Sequence, residues 1–242
     1  MRVKAIVAYD GTGYRGFQRQ ATGLTVQEAL ETAIEKVSGT RSSVLAAGRT
    51  DAGVHAEGQV IAFDTQWGHP LSDLERALNA VLPPDIAVRE TKSVSARFHP
   101  RYDAHSRRYR YTIYNAPVRS PLARRTSLFV ARPLDVAGMA SATPPLVGEH
   151  DFAAFGRPPK GEVTIRRVMA ADWARKEPWL FFEIEANAFL FRMVRSIVGT
   201  LLQIGQGKLP PDQLATILAS RDRSRAGPTA PPHGLCLIQV RY

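Results

Sequence analysis

TVQEALETAIEKVSG, Thr25–Gly39, is the stretch on which the fold turns. Val26, Ala29, Leu30, Ala33, Ile34 and Val37 recur at helical spacing and form one apolar stripe. Thr25 can cap the first turn, Glu28 three residues on completes a capping box, and Gly39 supplies a stop. A helix is therefore predicted over Thr25–Ser38. Upstream, Val3–Tyr9 alternates as a strand does. Downstream, strands are predicted near Ser43–Ala47 and Gln59–Phe63. A second helix follows from Ser72 to about Val81, then a strand near Ile86–Val94. The order is β-α-β-β-α-β, the split βαβ arrangement of ferredoxin-like and RNP-like units.

The second half repeats this order loosely. Arg107–Tyr114 reads as a strand with Tyr109, Tyr111 and Ile113 on one face. A helix opens near Asp135, and strands follow around Thr164–Trp173 and Trp179–Glu185. A long helix is predicted over Ala188 to about Gly205, a short one from about Pro211 to Ala219, and a last strand over Leu235–Tyr242. The expected fold is α/β in the α+β sense: two ferredoxin-like halves with mixed, mainly antiparallel sheets around a central basic cleft. Residues 1–98 would form the N-terminal half and residues 99–242 the C-terminal half. AGPTAPPHG, Ala226–Gly234, is short and bounded by structure, so it reads as a rigid connector.

Composition narrows the function classes. At 242 residues and 44% apolar content, the chain can bury a substantial core without disulfides, and its single cysteine, Cys236, can form none internally. A cysteine-based zinc site is excluded, the six histidines are scattered, and no metal constellation appears. The N-terminus lacks the apolar core of a signal peptide. The most apolar stretch, Ala186–Ile204, carries Arg192 and Arg195 and falls short of the roughly 18 uncharged residues a membrane span needs. A soluble, cytoplasmic protein is expected. The net charge of +10, from 32 basic and 22 acidic side chains, points to a polyanionic partner. Arginines sit beside aromatics in FQRQ, RFHPRY and RRYRYTIY, as nucleic-acid surfaces often have it.

Two loops hold the chemistry-bearing residues. GTGYRG, Gly11–Gly16, fits the G-x-G-x-x-G pattern after a strand, but the capped helix begins only at Thr25. A dinucleotide site needs that helix within the glycine motif. A tight turn, or a loop offering Tyr14, Arg15, Phe17 and Gln18 to a ligand, is the better reading. GRTDAGVHA, Gly48–Ala56, sets Asp51 on a Gly-bounded turn between apolar strands, with Arg49 two residues before it. An exposed turn would use the same residue types. The flanking strands instead argue for a partly buried carboxylate, which stays ionised only beside a cation or hydrogen-bond donors. Such an aspartate can act as nucleophile or base. In the long apolar helix, Arg192, Arg195, Ser196 and Gly199 form a narrow polar stripe. A buried guanidinium there needs an acid or a phosphate, and a structural ion pair would serve equally. GEHDF, Gly148–Phe152, reads as a helix end running into a turn.

YDGTGYRGFQRQ, GRTDAGVHA, RRYRYTIYN, GEHDF, NAFLFRMVRSIVG and AGPTAPPHGL, in this order across nearly the whole chain, resemble the motifs of the bacterial tRNA pseudouridine synthase A family. The resemblance implies an isomerase that converts uridine to pseudouridine at tRNA positions 38 to 40, without metal or cofactor, as a homodimer whose partner is tRNA. It assigns the catalytic aspartate to Asp51, the base-stacking tyrosine to Tyr109, an arginine near the acid to Arg49, and the arginine that pairs with the acid to Arg195. The carboxylate would attack C1′, add to C6 or remove a C2′ proton; the residues do not choose among these. A non-catalytic RNA-binding protein on the same fold is the competing reading. Pro144 and Pro145 depart from the family pattern and should end the helix opened near Asp135 early.

Overall fold

The computed structural model describes residues 1–158 and 161–242. The chain has an α+β fold and divides into two compact units. One is Met1–His105 together with Cys236–Tyr242; the other is Ser106–Leu235. The division falls a little after the expected boundary at residue 98, and the last strand, which follows the second half in sequence, lies in the first unit.

In the first unit the order is β1 (Arg2–Tyr9), α1 (Val26–Ser38), β2 (Leu45–Ala46), β3 (His55–Asp64), α2 (Leu71–Val81) and β4 (Ile86–Val94). β1 is central and antiparallel to both β3 and β4, and β2 pairs antiparallel with the far end of β3. This is the strand arrangement the β-α-β-β-α-β order anticipates. Val3, Ala5, Val7 and Tyr9 alternate onto the buried face of β1. β3 is buried on both faces for most of its length, which explains its continuous apolar run.

α1 starts and stops where the sequence says. The Thr25 hydroxyl accepts from the Glu28 amide at 3.3 Å, and Gly39 closes the helix at φ 68°. Val26, Leu30, Ala33 and Ile34 are buried, while Ala29 and Val37 are half-buried. α2 differs from expectation at its start. It begins at Leu71 after Pro70, whose fixed φ suits a helix entry, and no side chain caps it. β2 is shorter than predicted: Leu45 and Ala46 stand opposite Ala62 and Ile61 of β3, and the Ala47 amide adds one bond to the Val60 carbonyl at 2.8 Å.

In the second unit, β5 (Ser106–Asn115) pairs antiparallel with β9 (Trp179–Ala186). β9 pairs with β8 (Ile165–Lys176), and β8 with β7 (Gly148–Asp151). The short β6 (Leu128–Val130) runs parallel to the end of β5. Tyr109, Tyr111 and Ile113 share the buried face of β5 as predicted, and they stand opposite Ile184, Phe182 and Leu180 of β9. GEHDF corrects the expectation of a helix end: Gly148–Asp151 is β7, because its backbone pairs with Ile165–Val168 of β8. The helix capped by Asp135, α3 (Val136–Ala142), does end early, and Pro144–Leu146 forms a single 3-10 turn after it.

The long apolar helix is shorter than predicted. α4 spans Met193–Gly205, not from Ala188. Residues 188–192 read as helix because they are apolar, but Phe191 bridges to Arg157 in extended fashion, its N–H donating to the Arg157 carbonyl at 2.8 Å. Arg192 then turns the chain through a left-handed conformation, φ 63°. From Met193 onward α4 is buried almost all round. Its wall includes the Ala226–Gly234 connector, where Pro228 runs so close that a Cβ on Gly199 would lie 1.7 Å from the Pro228 carbonyl oxygen. Gly227 donates to the Thr200 hydroxyl at 2.9 Å, and Ala230 to the Arg195 carbonyl at 3.0 Å. α5 (Gln213–Ser220) packs against α3 and β7, and β10 (Leu235–Arg241) closes the chain.

Candidate active site

Asp51 sits on a turn that its neighbours lock from three directions. The Val54 amide donates to the Asp51 carbonyl at 3.1 Å, and Gly53 adopts φ 77°, a conformation that glycine takes without penalty. The preceding turn is held by Gln59, which is fully buried on β3. Its amide nitrogen donates to the Gly48 carbonyl at 2.7 Å, and its oxygen accepts from the Gly48 N–H at 3.3 Å. A buried amide satisfied at both ends holds one geometry, since each lost bond would leave a desolvated group unpaired. Buried Thr50 shares a hydrogen bond with the Tyr9 hydroxyl of β1 at 2.8 Å, and its carbonyl accepts from the Phe17 amide at 3.1 Å.

The glycine-rich segment supplies the third side. Gly11 opens a 3-10 turn capped by the Asp10 carboxylate, which accepts from the Thr12 amide at 2.9 Å. A Cβ on Gly11 would fall 2.1 Å from the Val54 oxygen; one on Gly16, at φ 94°, would fall 2.8 Å from the Thr50 oxygen. The Gly11 amide also donates to His55 Nδ1 at 3.0 Å. GTGYRG therefore serves as a packing surface for the aspartate turn. The expectation that it offers Tyr14 and Phe17 to a ligand is corrected: both rings are buried, and the Tyr14 hydroxyl is committed to Asp85 at 2.6 Å. Arg15 and Gln18 are exposed.

Asp51 itself is half-buried and Arg49 exposed. The turn thus holds the backbone that carries a half-buried carboxylate. Tyr9, Gly16, Thr50 and Gln59, which build this rigidity, are not apparent as site residues in the sequence. Gln59 leaves a signal, an uncharged amide at the head of the apolar run Val60–Phe63. The others act through contacts between residues far apart in the chain.

Tyr109 and Arg195 belong to the second unit. Tyr109 is buried on β5, its ring edge-on to half-buried Phe189 at 5.0 Å and 84°. Arg195 lies in the first turn of α4, half-buried, and its Nε donates to the Ala230 carbonyl at 2.7 Å. That carbonyl fixes the root of the guanidinium. The Arg195 charge also acts on the fully buried Tyr111 phenol, partly offsetting the burial that pushes the phenol up; its hydroxyl donates to the Pro231 carbonyl at 2.9 Å. Arg108 and Arg110 both pair with Glu183 of β9, at 3.1 and 2.6 Å. Among the described residues no cluster of histidine, cysteine, aspartate and glutamate could hold a metal ion, and no helix is long and apolar enough to cross a membrane.

An antiparallel α+β frame that locks an aspartate on a split-βαβ edge, in a strongly basic chain, has the makings of an enzyme acting on nucleic acid. The family model for tRNA pseudouridine synthase matches residues 5–103 and 142–242, which include Asp51 and Arg195, with Tyr109 between the matched segments. The chain belongs to the tRNA pseudouridine synthase family. Its similar relatives include the tRNA pseudouridine synthase A of Geobacter sp. (strain M21), 46% identical over 99% of this chain and 98% of that one. That of Geotalea uraniireducens is 45% identical over 100% and 99%, and that of Moorella thermoacetica 46% over 99% and 99%.

Proposed function

We propose that this chain isomerises uridine to pseudouridine at positions 38 to 40 of the tRNA anticodon stem-loop, as a homodimer, with Asp51 as the catalytic carboxylate. The observation that carries the reading is the locked, half-buried Asp51 turn in a chain of this family. The reaction breaks the N1–C1′ bond, turns the uracil and joins C5 to C1′; N1 gains the proton that C5 gives up. A carboxylate held on a rigid turn meets the first requirement, a nucleophile or base placed to act on the sugar or ring without reorganising. In this reading the target nucleotide leaves its stack, the Tyr109 ring supports the extruded base, and Arg49 and Arg195 supply positive charge for the acid and the nearby backbone. Stacking of that kind is worth about 1–3 kcal/mol per base.

The test is a tRNA transcript incubated with the protein and mapped by carbodiimide treatment and primer extension. New stops in the anticodon arm are expected with the wild type and none with Asp51→Asn, while filter binding shows that the variant still holds the tRNA. Unmodified uridines with the wild type would make the chain a non-catalytic RNA binder instead.

A further inference from the structure

Three arginines of the second unit, Arg157, Arg192 and Arg223, carry an inference of their own. Gly156 allows a close approach of two segments: a Cβ there would lie 2.6 Å from the Leu190 Cβ and 2.9 Å from the Phe191 carbonyl oxygen. This approach lets Arg157 bridge to Phe191, and Arg192 follows directly. The Arg192 guanidinium lies 4.8 Å from the centre of the Phe191 ring, and Phe191 is 50% exposed. Arg223 lies in the turn after α5. Its Nη1 is buried and has no hydrogen-bond partner.

The electrostatics of the cluster are one-sided. Burial lowers the Arg223 pKa first, and the positive charges of Arg157 and Arg192 lower it further. Among the described residues no carboxylate is a leading influence on Arg223. Asp222, the neighbour in sequence, is turned into its own loop, accepting from the Ser224 amide at 2.9 Å and the Ser224 hydroxyl at 2.7 Å. Among the described residues none of the three arginines forms a salt bridge. Arg192 also keeps a left-handed backbone that a side chain normally avoids. Like charges held together beside a buried, unpaired donor are unfavourable until an anion with several acceptor oxygens arrives.

We infer that Arg157, Arg192 and Arg223 converge on one backbone phosphate of the RNA substrate, with the exposed Phe191 ring beside it to meet a sugar or base. This rests on the tRNA reading of the chain. A phosphodiester is the anion of choice because its oxygens accept guanidinium forks and the flanking nucleoside offers a face to an aromatic ring.

The experiment measures tRNA affinity against salt for the wild type, Arg192→Gly, Arg223→Gln, Arg157→Gln and the Arg192→Gly/Arg223→Gln double variant. Arg192→Gly suits the left-handed backbone at this position, and its thermal melt beside the wild type separates a binding effect from misfolding. Each single variant should weaken binding and reduce the slope of log affinity against log salt by roughly 0.7–1. The double variant should lose no more slope than either single one, because the phosphate is shared. Arg223→Lys should recover part of the affinity. Wild-type slopes in all variants, or slope losses that add in the double variant, would overturn the shared-phosphate site. Pseudouridine mapping of the wild type reports separately on the isomerase reading, so the two fail independently.

Discussion

At the scale of single residues, the candidate site is a problem of holding one carboxylate still. Gln59, Thr50, Tyr9 and Gly16 fix the backbone on either side of Asp51. Gly16 is the sharpest of these, since it combines a left-handed φ with backbone too near to admit a Cβ. Gly16→Ala should therefore push the Thr50–Asp51 segment away. Displacing a catalytic group by about 1 Å costs on the order of 100-fold in rate. Single-turnover pseudouridine formation at saturating tRNA is expected to fall by about 10- to 100-fold with tRNA affinity nearly unchanged. Wild-type turnover in this variant would show that the glycine contact does not position the acid.

At the scale of elements, charge ties strands to helices where the sequence shows only scattered polar residues. Asp151 closes β7, and Arg221 ends α5 with its Nε 3.3 Å away. The Thr164 hydroxyl, then the Ala153 amide and Arg221, hold the Asp151 carboxyl below its usual range against the opposing effect of partial burial. A carboxyl depressed in the folded state adds stability above its unfolded pKa of about 3.9, and that stability is lost as pH falls through the folded value. Asp151→Asn should melt lower than the wild type near neutral pH, and the gap should shrink below about pH 4. Thermal melts across that range check this; a constant gap would assign the stabilisation to packing. The same scale explains α4. Its apolar sequence predicts burial, but only the Pro228 carbonyl against Gly199 shows that a proline-rich connector forms one of its walls.

At the scale of the whole molecule, the end of the chain returns to its beginning. β10 pairs in parallel with the start of β3, Cys236 opposite His55 and Leu237 opposite Ala56, a few residues beyond Asp51. Tyr242 anchors the same unit. Its hydroxyl donates to the Pro100 carbonyl at 2.8 Å, and Lys4 lies 4.1 Å above its ring. Removing Cys236–Tyr242 should therefore abolish activity and lower the melting temperature, although every proposed site residue is kept. Circular dichroism and the primer-extension assay test this together. A truncated protein that melts and turns over like the full chain would mean that β10 contributes nothing to the Asp51 frame.

The amino-acid sequence alone determined much of the local structure of both units. The stripe and caps of α1, the alternation of β1 and β5, the early end of α3 before Pro144, and the Asp51 turn as the centre of interest all rest on short-range rules of propensity and spacing. Tertiary structure decided what those rules do not reach. It made Gly148–Asp151 a strand by giving it a partner, and it drew residues 188–192 out of α4 through the bridge to Arg157. It also turned GTGYRG from a possible ligand loop into the backing of the aspartate turn. The physical reason is common to all three. A backbone hydrogen bond or a close carbonyl from a distant segment outweighs the small local preferences that a single stretch of sequence can express.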